Sequence, residues 1–337
     1  MTDLNSLSGS VLDWDLSAPL LWSGAVCRPV TGSGLPFQAA VSVLLSPGVL
    51  GRKHVDLFLQ EAGKYALETV MAGHFTESGI QGAVFVHDRF DSEFAHSLKF
   101  ASWDIDALHV GSLPDPRTPG VILLDMDATC VRCECIDEMA KLAGIGDQVS
   151  AVTALAMQGH LEFQESFRRR IALFAGKSAA VMDEVERNLP VMPGFGEMVA
   201  KAKACSWRVA IASGGFDRFV GKLQREYGLD YVTANSIEEK DGLFTGRVLG
   251  RIVDSRVKAD TLLMLREKYG IPVRNSMAVG DGANDLPMIS LAGTGVAIHA
   301  KPVVQEKAPV AIRFMDLQAV PALLEAALLL TRLQPGS

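Results

Sequence analysis

The sequence predicts an α/β protein: a doubly wound parallel sheet with an inserted helical cap, preceded by a small N-terminal α+β domain. Three observations predict it. After residue 120 the β-rich runs "GVILLDMD", "RVAIASGG", "DYVTANS" and "SMAVGDG" each end in small or acidic residues, and helical stretches follow most of them. Such alternation implies parallel strands whose ligands sit beyond their carboxyl ends. Between the first and second run lie about 65 residues of nearly continuous helical pattern, too long for an ordinary crossover. Finally, "GSLPDPRTPG" places Pro114, Pro116 and Pro119 within six residues, a density that blocks helix and central strand alike. The domains expected are therefore residues 1–110, a linker at 111–120, and residues 121–333 with the cap at about 131–192.

In chain order, residues 37–46 read as a strand, 52–73 as a long amphipathic helix, 82–88 as a strand, 92–103 as a helix and 105–111 as a last strand, the alternation of a ferredoxin-like module. No constellation of titratable groups emerges there: His54, His74, His87, His96 and His109 are dispersed. In the cap, residues 134–144, 147–159, 161–176 and 178–189 carry apolar positions three and four apart, punctuated by Gly144, Gly159 and Gly176. Asp241-Gly242, inside "EEKDGLFTGRVLG", is the pair expected of a tight hairpin. "LQAVPALLEAALLLTRL", with Pro321 and Glu325, is too short and interrupted for a bilayer crossing and reads as a packed terminal helix.

The 337 residues carry 32 Lys+Arg against 39 Asp+Glu, a net charge of -7, which excludes the basic footprint of a nucleic-acid binder. The polar, acidic start "MTDLNSLSGSVLDWD" lacks a secretory signal pattern, and five cysteines, an odd number, suit a reducing compartment. A cytoplasmic protein is expected. "CVRCEC" (Cys130, Cys133, Cys135) has no second ligand pair at zinc-finger spacing and is read as small buried side chains.

The strand tips carry the chemistry. In "VILLDMDATCVRCECIDEMA" a buried strand ends in Asp125 and Asp127, two apart on extended chain, and a second strand ends in Asp281 and Asp285. Carboxylates at such positions are costly to desolvate and repel one another unless a cation joins them, and magnesium favours oxygen ligands of this kind. "ASGGF" offers the Ser213 hydroxyl and free backbone N–H groups to a phosphate, and Lys258 a fixed positive charge.

In this order and spacing "DMDAT", "SGGF", Lys258 and "GDGAND" resemble the motifs of the haloacid dehalogenase superfamily of aspartyl-phosphate phosphohydrolases, from about residue 121 to about residue 312. Within it the chain is most similar to the branch acting on O-phospho-L-serine, in the longer bacterial form with an additional N-terminal domain. The resemblance implies that Asp125 is the nucleophile and Asp127 the proton donor. It implies magnesium held by Asp125, the backbone carbonyl of Asp127 and Asp281, with Asp285 and Thr129 in support. Ser213, Gly214 and Lys258 would steady the phosphoryl group, with Asn284 nearby. In the cap, Glu134 would receive the substrate ammonium and Arg170 its carboxylate, a pairing that selects a zwitterion, while Met157 and Phe163 close over the aliphatic part. Cap hinges are expected near residues 128–132 and 191–194. The family pattern usually has Ser where this chain has Ala128, which removes a local hydrogen bond. The N-terminal domain is expected to bind a ligand or form a homodimer interface. Two other readings stay open at this point: a phosphatase of the same superfamily for another small phosphomonoester, and a metabolite sensor with a vestigial catalytic fold.

Overall fold

The computed structural model describes residues 10–14, 19–23, 26–30 and 35–333; most of the polar start read above lies outside the described residues. After a short 3-10 turn at Val11–Asp13, β1 (Leu20–Ser23) and β2 (Val26–Pro29) form an antiparallel hairpin. They are followed by β3 (Ala40–Ser46), α1 (Arg52–Lys64), β4 (Thr69–Glu77), β5 (Ile80–His87), α2 (Ser92–Lys99) and β6 (Asp106–Val110). The sheet order is β2-β1-β4-β5-β3-β6, so β3 to β6 with the two helices make the βαββαβ ferredoxin-like unit. α2 starts where the Asp91 carboxylate accepts the N–H groups of Glu93 and Phe94.

One element differs from the sequence reading. The helix expected over residues 52–73 stops at Lys64, and Thr69–Glu77 is a strand. Ala66 takes a left-handed backbone (φ 50) that ends the helix. The β-branched Thr69 and Val70 then pair with His87 and Val86 of β5. Periodicity alone does not separate a short apolar strand from a helical turn; pairing with β5 does.

The second part runs β7 (Val121–Leu124), then the cap helices α3 (Cys135–Leu142), α4 (Gly146–Met157), α5 (Phe163–Ala172) and α6 (Ala180–Arg187), then α7 (Phe195–Ala204), β8 (Arg208–Phe216), α8 (Asp217–Tyr227), β9 (Tyr231–Lys240) and β10 (Leu243–Leu249). It continues with α9 (Ser255–Tyr269), β11 (Ser276–Gly280), α10 (Leu286–Leu291), β12 (Thr294–Ile298), α11 (Pro302–Lys307), β13 (Val310–Ile312) and α12 (Ala319–Arg332). The strand order is β10-β9-β8-β7-β11-β12-β13. All pairs are parallel except the β9-β10 hairpin. That hairpin turns on Asp241 (φ 53) and Gly242 (φ 77), the two positive dihedrals a type I′ turn requires. β7 is fully buried between β8 and β11, so chain order reverses direction at its two sides. A crevice at the carboxyl ends follows from that topology.

The two sheets share one core. Val43, Leu45, Val70 and Val84 of the first sheet belong to the same buried cluster as Leu323 and Leu324 of α12. α12 is thus the packed terminal helix that its pattern predicts, and no helix of the described residues is long and apolar enough to cross a membrane. Polar contacts pin the junction. The buried Asp106 carboxylate accepts the backbone N–H groups of Arg313, Phe314 and Met315, and Lys201 bridges Glu77 and Glu325 at 2.7 and 2.6 Å.

Candidate active site

Asp125 follows β7 directly. Its backbone N–H donates to the Val279 carbonyl of β11 (2.9 Å) and the Asp125 carbonyl accepts from the Cys130 thiol (2.9 Å), which fixes the strand tip. The carboxylate is buried, with Oδ1 accepting from the Met126 N–H and from Lys258 Nζ, both at 2.7 Å. Lys258 is itself buried in the first turn of α9 and holds Asp285 Oδ1 at 2.7 Å as well. α9 begins there because Asp254 caps it, accepting from the Arg256 and Val257 N–H groups.

The two strand tips meet. Oxygens of Asp125, Asp281 and Asp285 lie within 4.8 Å of one another. Thr129 Oγ1 donates to Asp281 Oδ1 (3.2 Å), and Asp285 Oδ2 accepts the Gly282 N–H (3.0 Å). Asp285, placed only in support by the sequence, is therefore a full member of the carboxylate group. The Asp127 carboxylate is not in that group; it accepts the Cys135 N–H at 3.0 Å. The Asp127 expectation concerned its backbone carbonyl.

Electrostatics follow from crowding acids in a buried place. Burial and then Asp285 push Asp125 well above the ordinary carboxylate range, against the pull of Lys258. Burial, then Asp285, lifts Asp281 to about 6. Burial outweighs the Cys135 contacts at Asp127 and raises it too. For Lys258 the two aspartates outweigh burial and raise its pKa, so it is cationic. Three clustered carboxylates, two of them with raised pKa values, are what a hard divalent cation relieves, and they fit magnesium.

Above this floor is a cavity of about 500 Å³. Its walls include Asp125, Asp127, Gly214, Asp281 and Asn284 from the core, and Glu134, Met157, Phe163 and Arg170 from the cap. Ser213, Thr129, Lys258 and Asp285 stand behind the wall and hold it. Ser213 Oγ accepts the Gly215 N–H (2.9 Å), and Asn235 donates to the Gly214 carbonyl (2.8 Å) while accepting the Val253 N–H (2.7 Å). The segment is the irregular end of β8, where pairing with β9 slips between Ala212 and Phe216, rather than a plain turn. A Cβ on Gly215 would lie 2.6 Å from Asp127 Oδ2, so glycine is needed for that close approach.

The cap supplies opposite charges. Glu134 precedes α3 without using its side chain as a cap. It is enclosed by protein and by the Asp127 and Asp281 carboxylates, and its pKa rises to about 7, burial being the larger cause. Arg170 faces the same cavity with its Nε buried and unpartnered. Met157 lines the cavity and is 67% exposed. Ala128 adopts φ 51, a left-handed residue where the chain leaves the core for the cap.

The cavity also contains residues the sequence reading did not name, chiefly His299 and Lys301. They follow β12, whose "TGVAI" run ends at a polar tip like the other strands; that pattern was the available signal.

A family model described as haloacid dehalogenase-like hydrolase matches residues 122–290. A phosphoserine phosphatase of Vibrio cholerae serotype O1 is 46% identical over 233 residues, 69% of this chain and 71% of the relative. The crystal structure of a probable phosphoserine phosphatase from Vibrio cholerae, in unliganded form, superposes with a TM-score of 0.73 at 37% identity, covering 88% of this chain and 90% of that one. A structure described as the phospho-aspartyl intermediate analogue of a phosphoserine phosphatase matches with a TM-score of 0.57 at 36% identity, covering 60% and 97%.

Proposed function

The chain belongs to the haloacid dehalogenase-like hydrolase family, and from that premise we propose that it hydrolyses O-phospho-L-serine to L-serine and inorganic phosphate through an aspartyl phosphate. The observation that carries the reading is one cavity whose floor holds Asp125 and Asp281 beside a buried Lys258 and whose cap presents Glu134 and Arg170. A phosphate and a zwitterion find complementary charges there.

Asp125, Asp281 and the Asp127 carbonyl, with Asp285 in support, would hold magnesium, which would supply positive charge to the phosphoryl oxygens. Lys258 supplies more of it and, with the Met126 N–H, holds Asp125 Oδ1; Oδ2 is the oxygen we assign to attack. As that oxygen bonds phosphorus, the bond from phosphorus to the seryl oxygen breaks. Asp127, whose pKa burial raises, gives its proton to the departing alkoxide. The Asp127 carboxylate then takes a proton from water attacking phosphorus, and the aspartyl bond breaks. Ser213, Gly214, Gly215 and Asn284 position the transferring group, which is most of what phosphoryl transfer requires. Glu134 pairs with the ammonium and Arg170 with the carboxylate, and closure brings Met157 and Phe163 over the substrate and excludes water.

A homodimer through the N-terminal module and a cytoplasmic location belong to the same proposal. The first is supported by the edge position of β2, the second by an odd number of cysteines. Phosphate release measured on O-phospho-L-serine, a sugar phosphate and pyridoxal phosphate, with magnesium and with chelator, tests the activity. A preference for phosphoserine that vanishes on chelation is expected; equal turnover of all three would return Glu134 and Arg170 to structural roles.

A further inference from the structure

The cap joins the core through two passes of chain that make a short ribbon. Val131 and Val191 pair antiparallel, the Arg132 N–H donates to the Pro190 carbonyl, and the Met192 N–H donates to the Cys130 carbonyl, each at 2.8 Å. This ribbon does not hang free. The Leu317 N–H donates to the Pro193 carbonyl at 3.1 Å, and Gly194 (φ 81) sits so near the next residue that a Cβ on it would be 2.3 Å from the Gln318 nitrogen. The chain from residue 313 to 318, between β13 and α12, is therefore the seat of the hinge.

Asp316 lies at the centre of that seat. Its Oδ2 accepts from the Arg132 guanidinium at 3.1 Å, in the ribbon, and its Oδ1 is 2.7 Å from His299 Nε2, on the cavity wall. A carboxylate only accepts, so the imidazole carries a proton on Nε2. His299 is held in a left-handed conformation (φ 47), its N–H donating to the Ile312 carbonyl at 3.0 Å. Such a strained non-glycine residue persists only where its surroundings over-determine it. The seat is fixed from behind by Asp106 of β6, which takes the N–H groups of residues 313, 314 and 315. The N-terminal module thus reaches the hinge through one turn.

We propose that Asp316 is a positioning residue for phosphoserine hydrolysis: by joining the hinge ribbon to the cavity wall it sets where Glu134 and Arg170 stand relative to Asp125. This rests on the substrate reading above. Small rotations at a hinge become larger displacements at the far end of the cap, so selectivity for the amino-acid part of the substrate is the property most exposed to its loss. The Arg132 and Asp316 side chains are 55% and 26% exposed. Solvent therefore screens the pair, and the effect is moderate.

The test compares kcat and KM for O-phospho-L-serine with those for p-nitrophenyl phosphate, which offers neither ammonium nor carboxylate to the cap. Asp316→Ala is expected to lower the ratio of the two kcat/KM values by about fivefold to tenfold, chiefly through KM for phosphoserine. Arg132→Gln, at an exposed position that leaves the core intact, is expected to lower it by about threefold, and Asp316→Glu to restore part of the ratio. A ratio within twofold of the wild type in both Asp316→Ala and Arg132→Gln overturns the proposal, whatever happens to the melting temperature. Absence of any phosphoserine preference in the wild type would instead overturn the substrate reading, and this inference with it.

Discussion

Asp125 illustrates how much of the chemistry rests on single side chains. Replacing it by Asn keeps the size and the Met126 contact but removes both the nucleophile and one charge facing Lys258. Asp125→Asn is expected to lose at least about 1,000-fold in kcat with phosphoserine, while circular dichroism and melting stay close to wild type. Residual turnover near the wild-type rate would mean that no aspartyl phosphate forms there. Gly280 is a quieter case. A Cβ on it would fall 2.5 Å from the Asp285 side chain, which is locked to Lys258 and the Gly282 N–H. Gly280→Ala is expected to cost about 1–3 kcal/mol by overpacking, read in urea unfolding, and to raise the magnesium concentration needed for half activity. An unchanged magnesium dependence would show that Asp285 does not help hold the ion.

At the scale of elements, α9 matters because its first turn delivers Lys258. Its start is set by Asp254, which accepts two backbone N–H groups and, through Oδ2, the Gln164 side chain of cap helix α5 at 2.8 Å. Asp254→Ala is expected to lower stability by about 1 kcal/mol, the usual worth of such a cap, and to reduce kcat several-fold as the Lys258 turn frays. Asp254→Asn, an equally good cap, is expected to lose far less of either. Equal losses in both would place the importance of Asp254 in its charge instead. β8 makes the complementary point: its last residues abandon regular pairing, and that departure brings Gly214 and Gly215 to the cavity wall with Ser213 buried behind them.

Across the whole molecule, stability is tied to a polar chain inside the first sheet. The Asp91 N–H donates to His109 Nε2, His109 Nδ1 faces Ser42 Oγ, Ser42 Oγ faces His87 Nε2, and His87 Nδ1 faces Thr69 Oγ1. Because His109 Nε2 must accept, the remaining protons are ordered with both imidazoles neutral. Burial depresses His87 to about 3 and His109 to about 4. The unfolded chain, with histidines near 6.5, binds more protons across this window, so folding stability is full above about pH 6.5 and falls as pH drops toward 4. Between pH 7 and pH 5 the loss is expected to be on the order of 2–4 kcal/mol. Urea unfolding at the two pH values measures it, and Ser42→Ala, His87→Gln and His109→Gln variants show whether it comes from these groups. These histidines are far apart in sequence, and the reading that found them dispersed had no way to join them.

What the sequence determined by itself is whatever is written locally: the apolar runs of β7, β8 and β11, the cap's helical periods, the Asp241-Gly242 turn, and acids at strand tips that announce a phosphoryl-transfer site. Each arises from residues within a few positions of one another. The tertiary structure alone decided that Thr69–Glu77 is a strand, that Asp285 joins Asp125 and Asp281, that His299 reaches the cavity, and that Asp316 joins Arg132 to His299. Those outcomes depend on partners brought together from distant parts of the chain, and local pattern carries no information on which partner packing selects.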